Sequence, residues 1–240
     1  MNEREIIAYL ERDKPIRVDM IEAIRRKTGT VLYAAPDAVL LQIPPGFYQL
    51  VGDTVEACER ALDAAKDDYF AFVAHNEVSR EAVQKRYPQL NVCNPCWQAY
   101  YPKTESIPVP DVCEIRPFPV DQLPLLVSVY DPKADPEDYR EAVEHGDVLA
   151  AYRDGEIAGF IGFHEDGSGG MLEVLPKFRR LGIGSALEIA LHNLALSRGW
   201  TPYGQIRVGN EASRKLQESL GMVLSDPAGS VLYWIYSEDD

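Results

Sequence analysis

The chain has 240 residues, 46% of them hydrophobic and 26% charged, with 24 Lys and Arg against 38 Asp and Glu for a formal charge of −14. That acidity, with a pI near 4.7, argues against a nucleic-acid partner, because phosphate backbones are held by clustered Lys and Arg. No stretch approaches the roughly 18 apolar residues of a membrane helix, and the amino end MNEREIIAYLERDK lacks a signal peptide's apolar core. A soluble, cytoplasmic chain with a substantial core is the expectation.

In chain order, residues 3–12, 18–27, 54–65 and 78–87 carry helical periodicity, and residues 31–33, 39–43, 47–51 and 69–74 read as strands. This alternation makes the first part α/β, with no glycine loop and no cationic cluster. Cys93 and Cys96 form a CxxC, half of a zinc-site spacing, with Asn94 and Pro95 reading as a turn that leads into a strand. The other half is missing: Cys58 and Cys113 are isolated, and His75, His145, His164 and His192 are not at ligand spacing from one another. No metal is expected, and a dithiol module remains a minor alternative. Residues 103–112, KTESIPVPDV, carry the linker signal through Pro108 and Pro110. They divide the chain into an amino-terminal domain 1–110 and a carboxyl-terminal domain 111–240.

The carboxyl part reads as a strand at 113–116, helices at 120–129 and 137–144, and strands at 148–152 and 157–163 around Asp154 and Gly155. A strand at 171–175 precedes a loop. The helix 182–197 then places Ile183, Ala186, Leu187, Ala190, Leu191 and Leu194 along one stripe, as a core-facing helix does. Strands near 203–208 and 231–236 complete a mixed sheet.

The loop is the most informative stretch. VLPKFRRLGIGS sets Lys177, Arg179 and Arg180 beside Gly182 and Gly184, in front of that helix. Glycines let backbone amides turn inward, and the first N–H groups of a helix have no intrahelical partner. Phosphate oxygens suit such amides, and the helix dipole favours the same anion by roughly 0.3–1 kcal/mol. The Walker pattern GxxxxGK[ST] is absent. The dinucleotide pattern GxGxxG fails because Leu187 stands three residues after Gly184.

What matches is R-x-x-G-x-G, from Arg179 to Gly184, followed by Asn210, Ser213, Leu216, Leu220, Gly221 and Met222 in an N-x-x-S-x-x-L-x-x-x-L-G-M pattern. The pair resembles the acetyl-CoA loop and the later motif of the GNAT superfamily of N-acetyltransferases, with Met222 in place of a final Phe. The resemblance covers about residues 111–240. It implies a GNAT-type mixed sheet flanked by helices in the carboxyl-terminal half, behind a smaller α/β domain. Two-part members similar to the glycine N-acyltransferases have a degenerate copy as that first half, although no internal repeat is evident in this chain. The resemblance also implies that amides of Arg180, Leu181, Gly182, Ile183 and Gly184 hold the pyrophosphate of acetyl-CoA, within a site that takes in Arg179 and Ser185. The backbone of Val174 and Leu175 would pair with pantetheine, with Asn210 assisting.

The implied function is transfer of an acetyl group from acetyl-CoA to a primary amine of a small molecule or amino acid, by direct attack in a ternary complex. Family members often protonate the leaving thiolate from a tyrosine, but the matching position here is Gln217, which is no general acid. Tyr203 and Ser213 are the substitutes considered. Glu173 is the candidate base, since it interrupts an apolar strand just before the loop and points away from Leu172 and Val174. Glu165, Asp166 and His164 rank below it. The missing tyrosine supports an alternative, a non-catalytic acyl-CoA sensor. The partner expected is a small amine, with neither nucleic acid nor membrane. Closing over the cleft, mediating a homodimer or bracing the sheet are all open roles for the first half.

Overall fold

A computed structural model describes residues 1–43, 46–225 and 230–237. Its contacts gather into two units, Met1–Pro102 with Tyr203–Asp240, and Lys103–Pro202. The second unit is therefore an insertion in the sequence of the first. This division differs from the expected domains 1–110 and 111–240.

In the first unit, α1 (Glu3–Leu10) starts from a reciprocal cap in which the Asn2 side chain accepts from the Glu5 N–H and Glu5 accepts from the Asn2 N–H. A 3-10 turn leads into α2 (Lys14–Arg25), with proline in its first turn and every residue from Ile16 to Ile24 buried. Strands β1 (Thr30–Ala35), β2 (Ala38–Gln42) and β3 (Phe47–Gly52) run antiparallel to one another. Helix α3 (Val55–Leu62) then crosses to β4 (Ala71–Ala74), which lies parallel to β3. Helix α4 (Glu77–Arg86) and β5 (Val92–Tyr100) follow.

The second unit holds β6 (Glu114–Pro117), α5 (Leu123–Tyr130), a 3-10 turn at Pro136–Tyr139, α6 (Arg140–Glu144), β7 (Val148–Arg153), β8 (Glu156–Phe163), β9 (Gly169–Val174) and α7 (Ile183–Ser197). Its strands form an antiparallel sheet in the order β6-β7-β8-β9. Asp154 and Gly155, both at positive φ, make the two-residue turn between β7 and β8. The pleat sends alternate residues to two cores. Ala158 and Ile161 meet Ile183, Leu187, Leu191 and Ala195 of α7, while Val148, Ala150 and Phe160 meet Leu123, Leu126 and Val143 on the opposite face. Burying each large aliphatic side chain there contributes roughly 1.5–3 kcal/mol.

The chain then returns to the first unit with β10 (Tyr203–Arg207), α8 (Glu211–Ser219), β11 (Val223–Leu224) and β12 (Leu232–Tyr236). The large sheet has the order β1-β2-β3-β4-β12-β5-β10, with β11 also on β5. Helices α1 and α2 supply Tyr9, Leu10, Ile16, Met20 and Ile21 to one face, and α3 and α4 supply Cys58, Leu62 and Val83 to the other.

Two expectations are corrected here. The strands near 203–208 and 231–236 do not complete the sheet of the second half. They join the first unit, and the mixed sheet is the one containing the parallel pair β3 and β4. The reason lies in β12: LYWIY is apolar along its length, as suits a strand with neighbours on both sides, and Trp234 aligns with Val73 on one side and Asn94 on the other. The second correction is that CNPC is strand rather than turn. Pro95 is tolerated in β5 because its carbonyl accepts the Val208 N–H just past β10. Its missing N–H points to that same edge, where pairing stops.

Candidate functional site

The loop after β9 is built by local backbone geometry. The Leu175 N–H donates to Ala158 O at 2.9 Å, a 3-10 turn over Pro176–Phe178 buries Phe178, and Arg179 is extended. Arg180 then takes φ +64° and Gly182 φ +81°. Gly182 is the N-cap of α7 and, lacking a side chain, leaves the first amides of the helix without the cap that Ser or Asp would supply. Those amides, beside exposed Arg179 and Arg180, form the positive end of a 15-residue helix and suit an anion.

The three loop cations differ in their engagements. Lys177 pairs with Glu156, and Arg179 Nε donates to Val174 O at 2.9 Å, tying the loop back to the end of β9. Arg180 has no ion-pair or hydrogen-bond partner among the described residues. Since Leu175 bonds towards β8, alternation turns the N–H and C=O of Val174 to the outer edge of β9, the last strand of its sheet. The Val174 carbonyl is thus held by Arg179, and its N–H is presented at that edge. Ile183 is buried in the α7 core, and Gly184 and Ser185 are half-buried at the start of the helix.

Glu173 is half-buried and registers with Phe160, on the face opposite Leu172 and Val174, which pack towards α7. Its carboxylate has no cation partner among the described residues. The other candidates lie in the first unit. Asn210 caps α8, its side chain accepting the Ser213 N–H at 3.1 Å. Tyr203 is 2% exposed in β10, Ser213 is half-buried, and Gln217 is buried. The loop residues Val174 to Ser185 are therefore one continuous constellation, and Tyr203, Asn210 and Ser213 belong to the other unit. Of the lesser candidates, Asp166 is buried and accepts both the N–H and the hydroxyl of Ser168, at 2.9 and 2.6 Å, as a turn-forming aspartate does. Glu165 and His164 are exposed.

The cysteine pair is separated by the pleat, with Cys93 in one core of the large sheet and Cys96 in the other. Burial pushes the Cys96 thiol up to about 11. Among the described residues, no group of three or more His, Cys, Asp and Glu is placed to hold a metal.

Sequence reasoning missed a polar row under α2. Asp19 is fully buried and accepts from Met20 N at 2.9 Å, Gln49 Nε2 at 3.1 Å and Gln98 Nε2 at 2.8 Å, and it pairs with His75. Gln98 continues to Gln205, which accepts from Trp234. The only local signal was a lone aspartate inside the apolar run of α2.

Residues 114–222 match the model of the Acetyltransferase (GNAT) family. That segment, just under half of the chain, carries the likeness to the GNAT acetyltransferases. It runs from β6 through α8 and so contains both the loop and the Asn210 motif. No curated protein matches the sequence. Solved structures share the fold over nearly the whole chain. A Drosophila protein from a structural genomics programme has 14% identity and a TM-score of 0.63, covering 100% of this chain and 98% of its own. A GCN5-related N-acetyltransferase-like protein from Streptococcus suis has 13% identity and a TM-score of 0.54, covering 96% and 99%. An acetyltransferase of the GNAT family from Colwellia psychrerythraea has 12% identity and a TM-score of 0.53, covering 99% and 98%. The GNAT match places an N-acetyltransferase domain in the chain. Among the described residues, no helix is long and apolar enough to cross a membrane.

Proposed function

We propose that this chain transfers an acetyl group from acetyl-CoA to a primary amine of a small molecule or amino acid, by direct attack in a ternary complex. The carrying observation is the uncapped N-terminus of α7 behind Arg180 and Gly182, both in left-handed backbone, inside the GNAT segment. The open amides of residues 182–185 and the unpartnered Arg180 fit a diphosphate, and the outward N–H of Val174 fits an amide-bearing arm. When bound, acetyl-CoA supplies the thioester.

The chain's own groups then divide the work. A neutral amine attacks the thioester carbonyl, the C–N bond forms, the C–S bond breaks, and the amine's proton passes to a base. Glu173 is proposed as that base, because it is half-buried and unpaired beside the loop. The thiolate regains a proton from Tyr203 or Ser213, Gln217 having none to give. The sequence resemblance to two-part members similar to the glycine N-acyltransferases is the basis for placing the chain in that subtype.

A second reading, a non-catalytic acyl-CoA sensor, is favoured by Gln217 at the position where a tyrosine acid is expected. Calorimetric titration of acetyl-CoA into wild type and into the Arg179→Ala, Arg180→Ala double variant tests the site. Loss of one charge-assisted contact of 1.5–3 kcal/mol weakens binding about tenfold or more. No binding to wild type removes the acyltransferase reading. Binding without turnover over a panel of amines selects the sensor.

A further inference from the structure

The segment expected to be a plain linker is fastened to the second unit at two points. Asn193, in the third turn of α7, uses both ends of its side-chain amide on one residue: the Ile107 N–H donates to Oδ1 at 2.8 Å, and Nδ2 donates to the Ile107 carbonyl at 2.8 Å. Five residues on, Arg153 Nη1 of β7 donates to the Val112 carbonyl at 3.0 Å, and the Val112 N–H bonds back to Pro110 O. Ile107 and Val112 are the half-buried positions of this stretch, and the four residues between them are exposed. Val112 joins the core under α7, and its methyl groups lie 3.7 and 3.9 Å from where a Cβ on Gly182 would stand.

From Asn193 back to Ile183 is ten residues, about 15 Å of helix at 1.5 Å per residue. From Ile107 to Val112 is five residues, at most about 15 Å at 3.1 Å per residue, less the tight turn that the Val112 N–H bond to Pro110 O closes at Asp111. Pro108 and Pro110 each lock φ and disfavour collapse of the residue before them, so the span resists shortening.

We propose that residues 107–112 are a strap that sets the anion loop, and that Asn193 and Arg153 are positioning residues for acyl-CoA binding, acting through Val112 against Gly182. The proposal rests on the acyl-CoA reading above. Gly182 has no side chain with which to fix its own left-handed turn, and Val112 is the side chain nearest to where one would stand. Releasing the strap lowers the fraction of molecules with the loop in its binding geometry, and the apparent dissociation constant rises by the reciprocal of that fraction.

The test uses the full chain and acetyl-CoA as probe, with Asn193→Leu, Arg153→Met, Arg153→Lys and Val112→Gly. Binding is read by calorimetry, and strap release by the rate of tryptic cleavage after Lys103. In Asn193→Leu the dissociation constant is expected to rise about tenfold, as follows when the competent fraction falls to about a tenth. Cleavage should be faster, the KM for acetyl-CoA should rise and kcat should be maintained. Arg153→Lys should restore most of what Arg153→Met loses. Val112→Gly weakens binding with both clamps intact, so the inference survives a failure of Asn193→Leu to fold. Wild type that binds while Asn193→Leu and Val112→Gly bind equally well overturns the strap and leaves the acyl-CoA reading standing. Wild type that does not bind overturns both.

Discussion

His75 Nε2 lies 2.8 Å from Asp19 Oδ2, and both side chains are wholly buried. Nδ1 of the same ring is 3.2 Å from the Leu50 carbonyl, so each ring nitrogen faces an acceptor. Removing one partner strands the other without solvent, at a cost of about 3–5 kcal/mol. Asp19→Ala is expected to lower the urea midpoint accordingly, because Gln49 and Gln98 lose their buried acceptor together with His75. A single variant within 1 kcal/mol of wild type, in roughly the range of surface changes, would sink this account.

Arg180 separates stability from binding. Its φ of +64° is unfavourable for a side-chain-bearing residue by about 1 kcal/mol. Arg180→Gly relieves that strain, and thermal unfolding is expected to rise by about 2–4 °C for a chain of this size. Acetyl-CoA affinity should fall in the same variant, because the unpartnered guanidinium is lost. Opposite signs in the two measurements are the expected result; a fall in both contradicts it.

Burial pushes the His192 imidazole down to about 4, from an ordinary value of 6.5, despite the Glu188 carboxylate 3.5 Å away. The unfolded chain takes up this proton as pH falls through 6.5, and the folded chain only near 4. The unfolded state therefore binds more protons between these limits, and stability falls as pH falls across that window, by roughly 3 kcal/mol in full. Denaturation midpoints at pH 7 and pH 4.5 should differ less in His192→Gln than in wild type. An unchanged difference would exclude His192 as a source.

Thiol reactivity should follow exposure. Cys93 and Cys113 are half-buried, whereas Cys58 and Cys96 are buried, and burial pushes all four thiols up. Alkylation at pH 8, followed by peptide mass spectrometry, is expected to modify Cys93 and Cys113 first. Mild oxidation should leave Cys93 and Cys96 unlinked, since they occupy opposite faces of β5. A disulfide between them would require β5 to unpair.

Glu173→Gln is expected to lower kcat by about 10²–10⁴, the usual contribution of a general base, with acetyl-CoA affinity retained. Single-turnover rates with a responsive amine measure it, and full activity in the variant would move the base elsewhere.

The parts legible in the sequence are those decided by neighbours in the chain. The stripe Ile183, Leu187 and Leu191 is the face that α7 buries, and Gly182 does open the helix. The loop could be read because glycine conformations, cations and a helix start are all local. The placement of β12 could not be read, because LYWIY fits any buried strand and its partners Val73 and Asn94 are over a hundred residues away. CNPC was mistaken for a turn because Asn and Pro favour turns locally, while three later strands recruit β5 into the sheet. Asp19 and His75 stand 56 residues apart and share no pattern. The catalytic assignments were hardest for the same reason, since Glu173 and Tyr203 belong to different units.

The strand order also dictates a timetable for synthesis. β12 lies between β4 and β5, and β5 finds its neighbours only among β10, β11 and β12. About 130 residues separate the end of β5 from the start of β12, roughly 7–26 s of elongation at 5–20 residues per second. Throughout that interval the rim of β4 and the rim of β5 that take β12 have no native partner, and the other rim of β5 waits about 100 residues for β10, which is the circumstance in which nascent chains cross-pair and aggregate. The contiguous stretch Lys103–Pro202 suffers no such delay. The unit that leaves the ribosome first is thus the last to close, and a helper that shields strand edges should raise the yield of this protein more than one that speeds its folding.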